Sequence, residues 1–101
     1  MGKLVAVAKI SEVQPGKGLP VMAENEEIAL FNIGGKFCAI NNVCLHQGGP
    51  LGEGEVNDHF VTCPYHGWEY DILTGEVTFN PNSKVKTYPV KVEGDDVKVE
   101  I

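Results

Sequence analysis

Cationic side chains are scarce in this chain. Eight Lys and Arg stand against fourteen Asp and Glu, giving a formal net charge of −6 and a pI near 4.9. No basic stripe exists to neutralise phosphates, which argues against a nucleic-acid binder. The same balance argues against attraction to anionic lipid. Long apolar runs are also missing. The N-terminal Met1-Gly2-Lys3-Leu4-Val5-Ala6-Val7-Ala8 is apolar for only about six residues, far short of the roughly 20 that span a bilayer. No small-residue cleavage motif follows, so no secretory signal is expected. Ala6 stands where a myristoylation motif needs Ser or Thr. Three cysteines are an odd number, which leaves one without a disulfide partner and points to a reducing, cytoplasmic home. There is no amphipathic helical period, no internal repeat and no low-complexity linker.

What is present in quantity is turn chemistry, with Gly 12 and Pro 6 in 101 residues. Short apolar runs between such residues predict an all-β chain, and the length suits a single domain over residues 1–101. Strands are expected over residues 4–8 and 19–23, with a turn at Gln14-Pro15-Gly16-Lys17-Gly18 between them. Residues 27–33 and 36–40 flank Gly34-Gly35, the strongest hairpin signal in the chain. A long irregular stretch is expected over 41–57. Further strands are expected over 59–63, 68–71 and 77–79, then a loop at Asn80-Pro81-Asn82-Ser83. A C-terminal hairpin pairs 87–92 with 97–101 around Gly94-Asp95-Asp96.

The chemistry concentrates in Cys44-Leu45-His46, sixteen residues, then Cys63-Pro64-Tyr65-His66. Two thiols and two imidazoles in two tight pairs suit a transition metal. Structural zinc modules usually pair Cys with Cys and His with His. Here each pair mixes one Cys with one His. A cluster with two unlike irons accounts for the mixing, one iron taking both thiolates and the other both imidazoles. Colour separates these readings, since an iron–sulfur protein is red-brown and a zinc protein colourless.

Both boxes, continued through Cys63-Pro64-Tyr65-His66-Gly67-Trp68, resemble the Rieske 2Fe–2S signature in order and spacing. The resemblance implies the Rieske fold, an antiparallel β-sandwich with a small cluster-binding subdomain, about residues 41–82, formed by two loops. It implies one 2Fe–2S cluster held by Cys44 and Cys63 on the inner iron and His46 and His66 on the outer one. Rieske proteins of cytochrome bc complexes carry a disulfide between the boxes; Gly49 and Tyr65 stand at those positions. They also place a Ser after His-Gly, where this chain has Trp68. Fewer donors to the cluster lower the potential. Together these features are similar to the soluble, low-potential Rieske-type ferredoxins, which carry single electrons from a flavin-dependent ferredoxin reductase to the terminal oxygenase of aromatic-ring dioxygenase systems. By that likeness the chain is an electron-transfer component and not itself an enzyme, with no catalytic residue and a monomer. An alternative relative is the small Rieske-like subunit of assimilatory nitrite reductases. Oxygenase catalytic subunits need a second, non-haem iron site, and His59 is the one spare histidine.

Other residues carry narrower expectations. Gly48 and Gly67 are expected to let the backbone approach the cluster, whereas Gly52 and Gly54 read as ordinary loop glycines. Asn80-Pro81 resembles a third loop over the cluster. Leu45 is expected to shield it, and Tyr65 and Trp68 to pack around its base. Cys38 reads as a buried small hydrophobe and His59 as a hairpin residue. Glu53, Glu55 and Asp58, between the boxes, are candidates to shape docking.

Overall fold

The computed structural model describes residues 2–45, 48–65 and 67–101. Among these are twelve strands: β1 Leu4–Lys9, β2 Lys17–Ala23, β3 Glu26–Ile33, β4 Lys36–Asn41, β5 Glu55–Asn57, β6 Phe60–Thr62, β7 Glu69–Asp71, β8 Glu76–Val77, β9 Asn80–Lys84, β10 Thr87–Tyr88, β11 Val90–Glu93 and β12 Asp96–Glu100. They form three antiparallel sheets, ordered β1-β12-β11, β10-β4-β3-β2 and β5-β6-β7-β8-β9. The all-β, antiparallel expectation is met.

The second sheet is the middle layer. Successive side chains on a strand point to opposite faces, and β3 buries both. Ile28 and Leu30 join Val97, Val99 and Tyr88 in one core. Ala29 and Phe31 join Ile40, Val61, Tyr70 and Val77 in the other. That is why residues 28–31 read as an unbroken apolar run rather than an alternating one. The Gly34-Gly35 hairpin forms as expected, with Ile33 opposite Lys36. Buried Asn32 helps shape it: its side-chain oxygen accepts from the Gly35 N–H and its amide donates to the Val13 carbonyl, both at 2.8 Å.

The third sheet shows its inner face as one row. Val56 pairs with Val61, Val61 with Tyr70, and Tyr70 with Val77. Partners in a ladder share a face, so this row faces the core that also contains Cys44 and Cys63.

Three expectations need correction. Residues 80–83 do not form a loop; they belong to edge strand β9, where a proline removes no needed ladder donor. The expected strand over 87–92 is two strands. Thr87 and Tyr88 pair with β4, and after Pro89 the chain crosses to pair Val90–Glu93 with β12, because proline has no N–H to continue the first ladder. The irregular stretch 41–57 is shorter than expected, since a 3-10 turn at Leu51–Glu53 and strand β5 occupy its second half.

Asn42 fastens the base of that stretch. Its side-chain oxygen accepts from the Gly52 N–H at 2.7 Å, its carbonyl accepts from Leu51 N–H at 2.8 Å, and its own N–H donates to Glu27 O at 2.9 Å. The residue is buried. Asn42→Ala leaves the Gly52 N–H buried without its partner, and we expect a stability loss of about 1–3 kcal/mol in chemical denaturation. A loss under about 0.5 kcal/mol, the range of ordinary surface substitutions, would remove Asn42 from this role.

Candidate metal centre

Two loops bring the first members of the two ligand pairs together. The first leaves β4 and is closed by a bridge between Val43 and Pro50. Within it the Cys44 N–H donates to Gly49 O at 3.0 Å and the Gly48 N–H to Cys44 O at 2.9 Å. The second connects β6 to β7 and is closed by the Cys63 N–H donating to Trp68 O at 2.7 Å. Each loop therefore opens on a cysteine whose N–H reaches the carbonyl five residues on.

Both thiols are buried, Cys44 at 2% exposure and Cys63 at 1%, and neither is in a disulfide. Burial is the largest influence pushing the Cys63 thiol above its ordinary range, and the Cys44 side chain, within hydrogen-bonding reach, adds to it. Burial thus favours the neutral form of Cys63, whereas a metal ion deprotonates a coordinating thiol outright.

Polar groups are already aimed at the sulfurs. The Tyr70 hydroxyl lies 3.3 Å from Cys44 Sγ and accepts the Leu45 N–H at 2.9 Å. Its oxygen is thus occupied as an acceptor, which leaves its proton for the sulfur once Cys44 is a thiolate. Burial, and then the contact with Cys44, push the Tyr70 phenol above its usual range, so it remains a donor. The Tyr65 N–H donates to Cys63 Sγ at 3.4 Å. Two buried sulfurs, each met by a donor, fit a pair of thiolate ligands to a shared metal group. Tyr70 and Asn42 are absent from the sequence reading. The signal for Tyr70 was the alternation of Glu69-Tyr70-Asp71, which turns the tyrosine alone toward the core.

His46 and His66 lie outside the described residues, so the structure positions only the cysteine half of the predicted ligand set. Among the described residues, no group of three or more His, Cys, Asp or Glu could hold a metal ion. Cys38 is half-buried on β4 against the same core, and burial pushes its thiol up, which makes it a weak nucleophile. His59 is at the β5–β6 turn as expected, with its Nδ1 3.1 Å from Asp71 Oδ1 and its ring against Phe60.

The glycines divide differently from expectation. Gly48 and Gly67 have φ of +69° and +74°, the left-handed region that glycine enters without penalty. Gly52 and Gly54 are not ordinary loop glycines. A Cβ on Gly54 would fall 2.2 Å from the Thr62 carbonyl oxygen, and one on Gly52 would fall 2.7 Å from the Pro20 nitrogen. They allow β5 and the 3-10 turn to lie against neighbouring backbone beside the loops. Trp68 packs on the core and meets Phe79 edge-on with ring centroids 5.0 Å apart. Tyr65 stands on the second loop. It is 50% exposed, as is Leu45, and its ring lies over Gly49, whose added Cβ would be 2.9 Å from both Tyr65 Cγ and Cys63 Sγ.

Comparison with known proteins gives this geometry a context. The family model described as "Rieske [2Fe-2S] domain" matches residues 3–89. The ferredoxin component of the naphthalene 1,2-dioxygenase system of Pseudomonas aeruginosa is 31% identical over 100 residues, covering 98% of this chain and 96% of that protein. A chain from the complex of reduced oxygenase and oxidized ferredoxin in carbazole 1,9a-dioxygenase superposes with a TM-score of 0.85 at 26% identity, covering 95% of this chain and 91% of its own. A putative NADH-dependent nitrite reductase small subunit from Mycobacterium tuberculosis superposes with a TM-score of 0.91 at 22% identity, covering 100% and 96%; that last likeness speaks to fold alone. No helix among the described residues is long and apolar enough to cross a membrane.

The contact at Gly49 generates a test. A Cβ on residue 49 lies 2.9 Å from Tyr65 Cγ, and one carbon–carbon bond of about 1.5 Å separates that atom from Tyr65 Cβ. The two Cβ atoms of a G49C/Y65C variant therefore lie no more than about 4.4 Å apart, within disulfide reach. Oxidation should close an intramolecular 49–65 bridge, visible by intact mass and peptide mapping. Only crosslinked dimers, or a pair that stays fully reduced, would contradict the placement of the two loops; a bridge from residue 49 to Cys63 would not, since the same Cβ lies 2.9 Å from Cys63 Sγ.

Proposed function

This chain belongs to the Rieske [2Fe-2S] domain family, and we propose that it is a one-electron carrier taking electrons from a flavin-dependent reductase to a terminal oxygenase. The observation that carries this is the buried Cys44–Cys63 pair with hydroxyl and amide donors aimed at its sulfurs. In this reading Cys44 and Cys63 hold one iron of a 2Fe–2S cluster, and His46 and His66 hold the other. The cluster, when bound, takes up and returns a single electron.

The chain's own residues hold and tune that group. The hydrogen bonds that close the loops fix where each ligand pair begins. Tyr70 and the Tyr65 N–H donate to the two thiolate sulfurs and withdraw charge from them. Trp68 and the Val56–Val61–Tyr70–Val77 row keep water from the inner side. In this reading the electron leaves through the histidine ligands of the second iron.

Residues 41–82 act as the cluster-binding subdomain of a single domain spanning 1–101, and the carrier works as a cytoplasmic monomer that meets its partners transiently. Likeness to a named ferredoxin component over nearly the whole of both chains favours this over the small nitrite-reductase subunit, for which the resemblance is of fold.

Purified protein should contain two irons and two sulfides per chain. Once reduced it should give the electron paramagnetic resonance signal of mixed Cys/His ligation. The midpoint should fall at roughly −150 mV to about 0, the lower part of the Rieske range. A colourless zinc protein, or a midpoint above about +200 mV, would reject the low-potential carrier. Tyr70→Phe removes a donor worth about 1.5–3 kcal/mol to a charged acceptor; the part of that bond gained on reduction moves the midpoint, so it should drop, by at most about 65–130 mV at 59 mV per tenfold for one electron. An unchanged midpoint in a folded, cluster-loaded variant would show that the hydroxyl does not donate to the sulfur.

A further inference from the structure

The net charge of this protein is confined to one part of the chain. Its lysines are Lys3, Lys9, Lys17, Lys36, Lys84, Lys86, Lys91 and Lys98, so residues 37–83 contain no cationic Lys or Arg. The same stretch holds Glu53, Glu55, Asp58, Glu69, Asp71 and Glu76. Its formal charge is −6, equal to that of the whole chain, and the remaining residues balance eight lysines against eight acids. That stretch supplies both ligand loops and most of the third sheet.

Neutrality elsewhere is local as well as global. Lys3 pairs with Glu24, Lys9 with Asp96, Lys86 with Glu26, and both Lys91 and Lys98 with Glu93. In the third sheet the Asp71 carboxylate meets the His59 ring, Oδ1 to Nδ1 at 3.1 Å, and the sheet's single lysine is Lys84, opposite Glu76. The acids reach the ligand end. Glu55 pairs with Thr62 and Thr62 with Glu69, a row one residue before Cys63 and on the face opposite the apolar row. Glu53 is exposed at the end of the 3-10 turn that follows the first loop. The loops themselves carry exposed apolar side chains, Leu45 and Tyr65, and Phe79, 63% exposed, meets Trp68 where the second loop ends.

We propose that the electron-transfer partner is a protein whose own redox site is an apolar spot framed by lysine and arginine, and that the undivided negative charge of residues 37–83 turns the ligand loops toward it. This rests on the carrier reading above. An apolar centre within a rim of one sign fits a weak, fast encounter, because the rim guides approach and the centre gives contact. Such steering changes association rates by about 10- to 1,000-fold and fades once the Debye length falls below the charge spacing. The neutral first sheet, on the other side of the middle layer, gives the molecule a polarity and therefore a preferred approach.

The test uses reduced, cluster-loaded protein and two oxidants of opposite charge, the basic haem protein cytochrome c and the anion hexacyanoferrate(III). At about 10 mM salt, where the Debye length is about 30 Å, Glu53→Lys with Glu55→Lys should slow reduction of cytochrome c by roughly tenfold and speed that of hexacyanoferrate. Both differences should vanish near 0.5 M salt. Asp95→Lys with Glu100→Lys, the same charge change on the first sheet, should alter either rate less than twofold. Equal effects from the two double variants, or wild-type rates indifferent to salt, would overturn the proposal. Midpoints and paramagnetic spectra are recorded first for every variant. Protein lacking the mixed-ligand signal would overturn the carrier reading itself, and with it this one, before any rate is measured.

Discussion

The ligand end of this structure depends on one oxygen atom. The Tyr70 hydroxyl springs from the third sheet, reaches the first loop, accepts the Leu45 N–H and meets Cys44 Sγ. Its position is set by what lies below. Tyr70 is fully buried in the row Val56–Val61–Tyr70–Val77, and that row rests on Phe31 and Ile40 of the middle sheet. The chain from β3 through the core to a sulfur is continuous, so a change in core volume at Phe31 or Ile40 is felt at the ligands. A second layer of cover, the sheet that joins the two termini, holds the middle sheet from behind.

The parts of the fold legible in the sequence are those decided locally. Gly34-Gly35 between two apolar runs specifies a hairpin because those glycines take φ of +60° and +98°, conformations a side chain resists. The C-terminal hairpin is legible for the same kind of reason at Gly94. What local reading misplaces is decided by distant partners. Residues 80–84 look like a loop because Asn-Pro-Asn-Ser is turn chemistry, yet β8 offers them an edge to join. The split at Pro89 follows from two sheets competing for one segment, which its alternating pattern alone does not reveal. At the site, the ligand types and spacing are legible because they are covalent facts of the chain. Tyr70 is not, since its importance lies in a contact across 26 residues of sequence. The tight approaches at Gly52 and Gly54 likewise exist only once β2 and β6 are in place.

Donors near the sulfurs bear on potential in opposite directions in the two readings. Trp68 in place of a hydroxyl residue removes one donor, and sequence alone infers a low potential from that. Tyr70 and the Tyr65 N–H supply two more that sequence alone does not reveal. Both act on the cysteine sulfurs, so under the proposed function they work against the effect of Trp68 rather than adding to it.

The absence of a covalent link between the loops has a structural consequence. At positions 49 and 65 the chain sets a bare glycine under an aromatic ring, a contact with packing energy and no tether. Among the described residues, Tyr70 and the adjacent buried thiols also bring the loops together. A metal group ligated from both loops would be the strongest link between them, because coordination is folding free energy when its ligands come from separate segments. Burial pushes the Cys63 thiol toward neutrality, and a coordinating thiol must lose its proton, so binding such a group would add to what holds the two loops together. The protein's holding of its cofactor and the cofactor's holding of the protein are then one free energy. It would reside in the two loops and rest on the β scaffold beneath them.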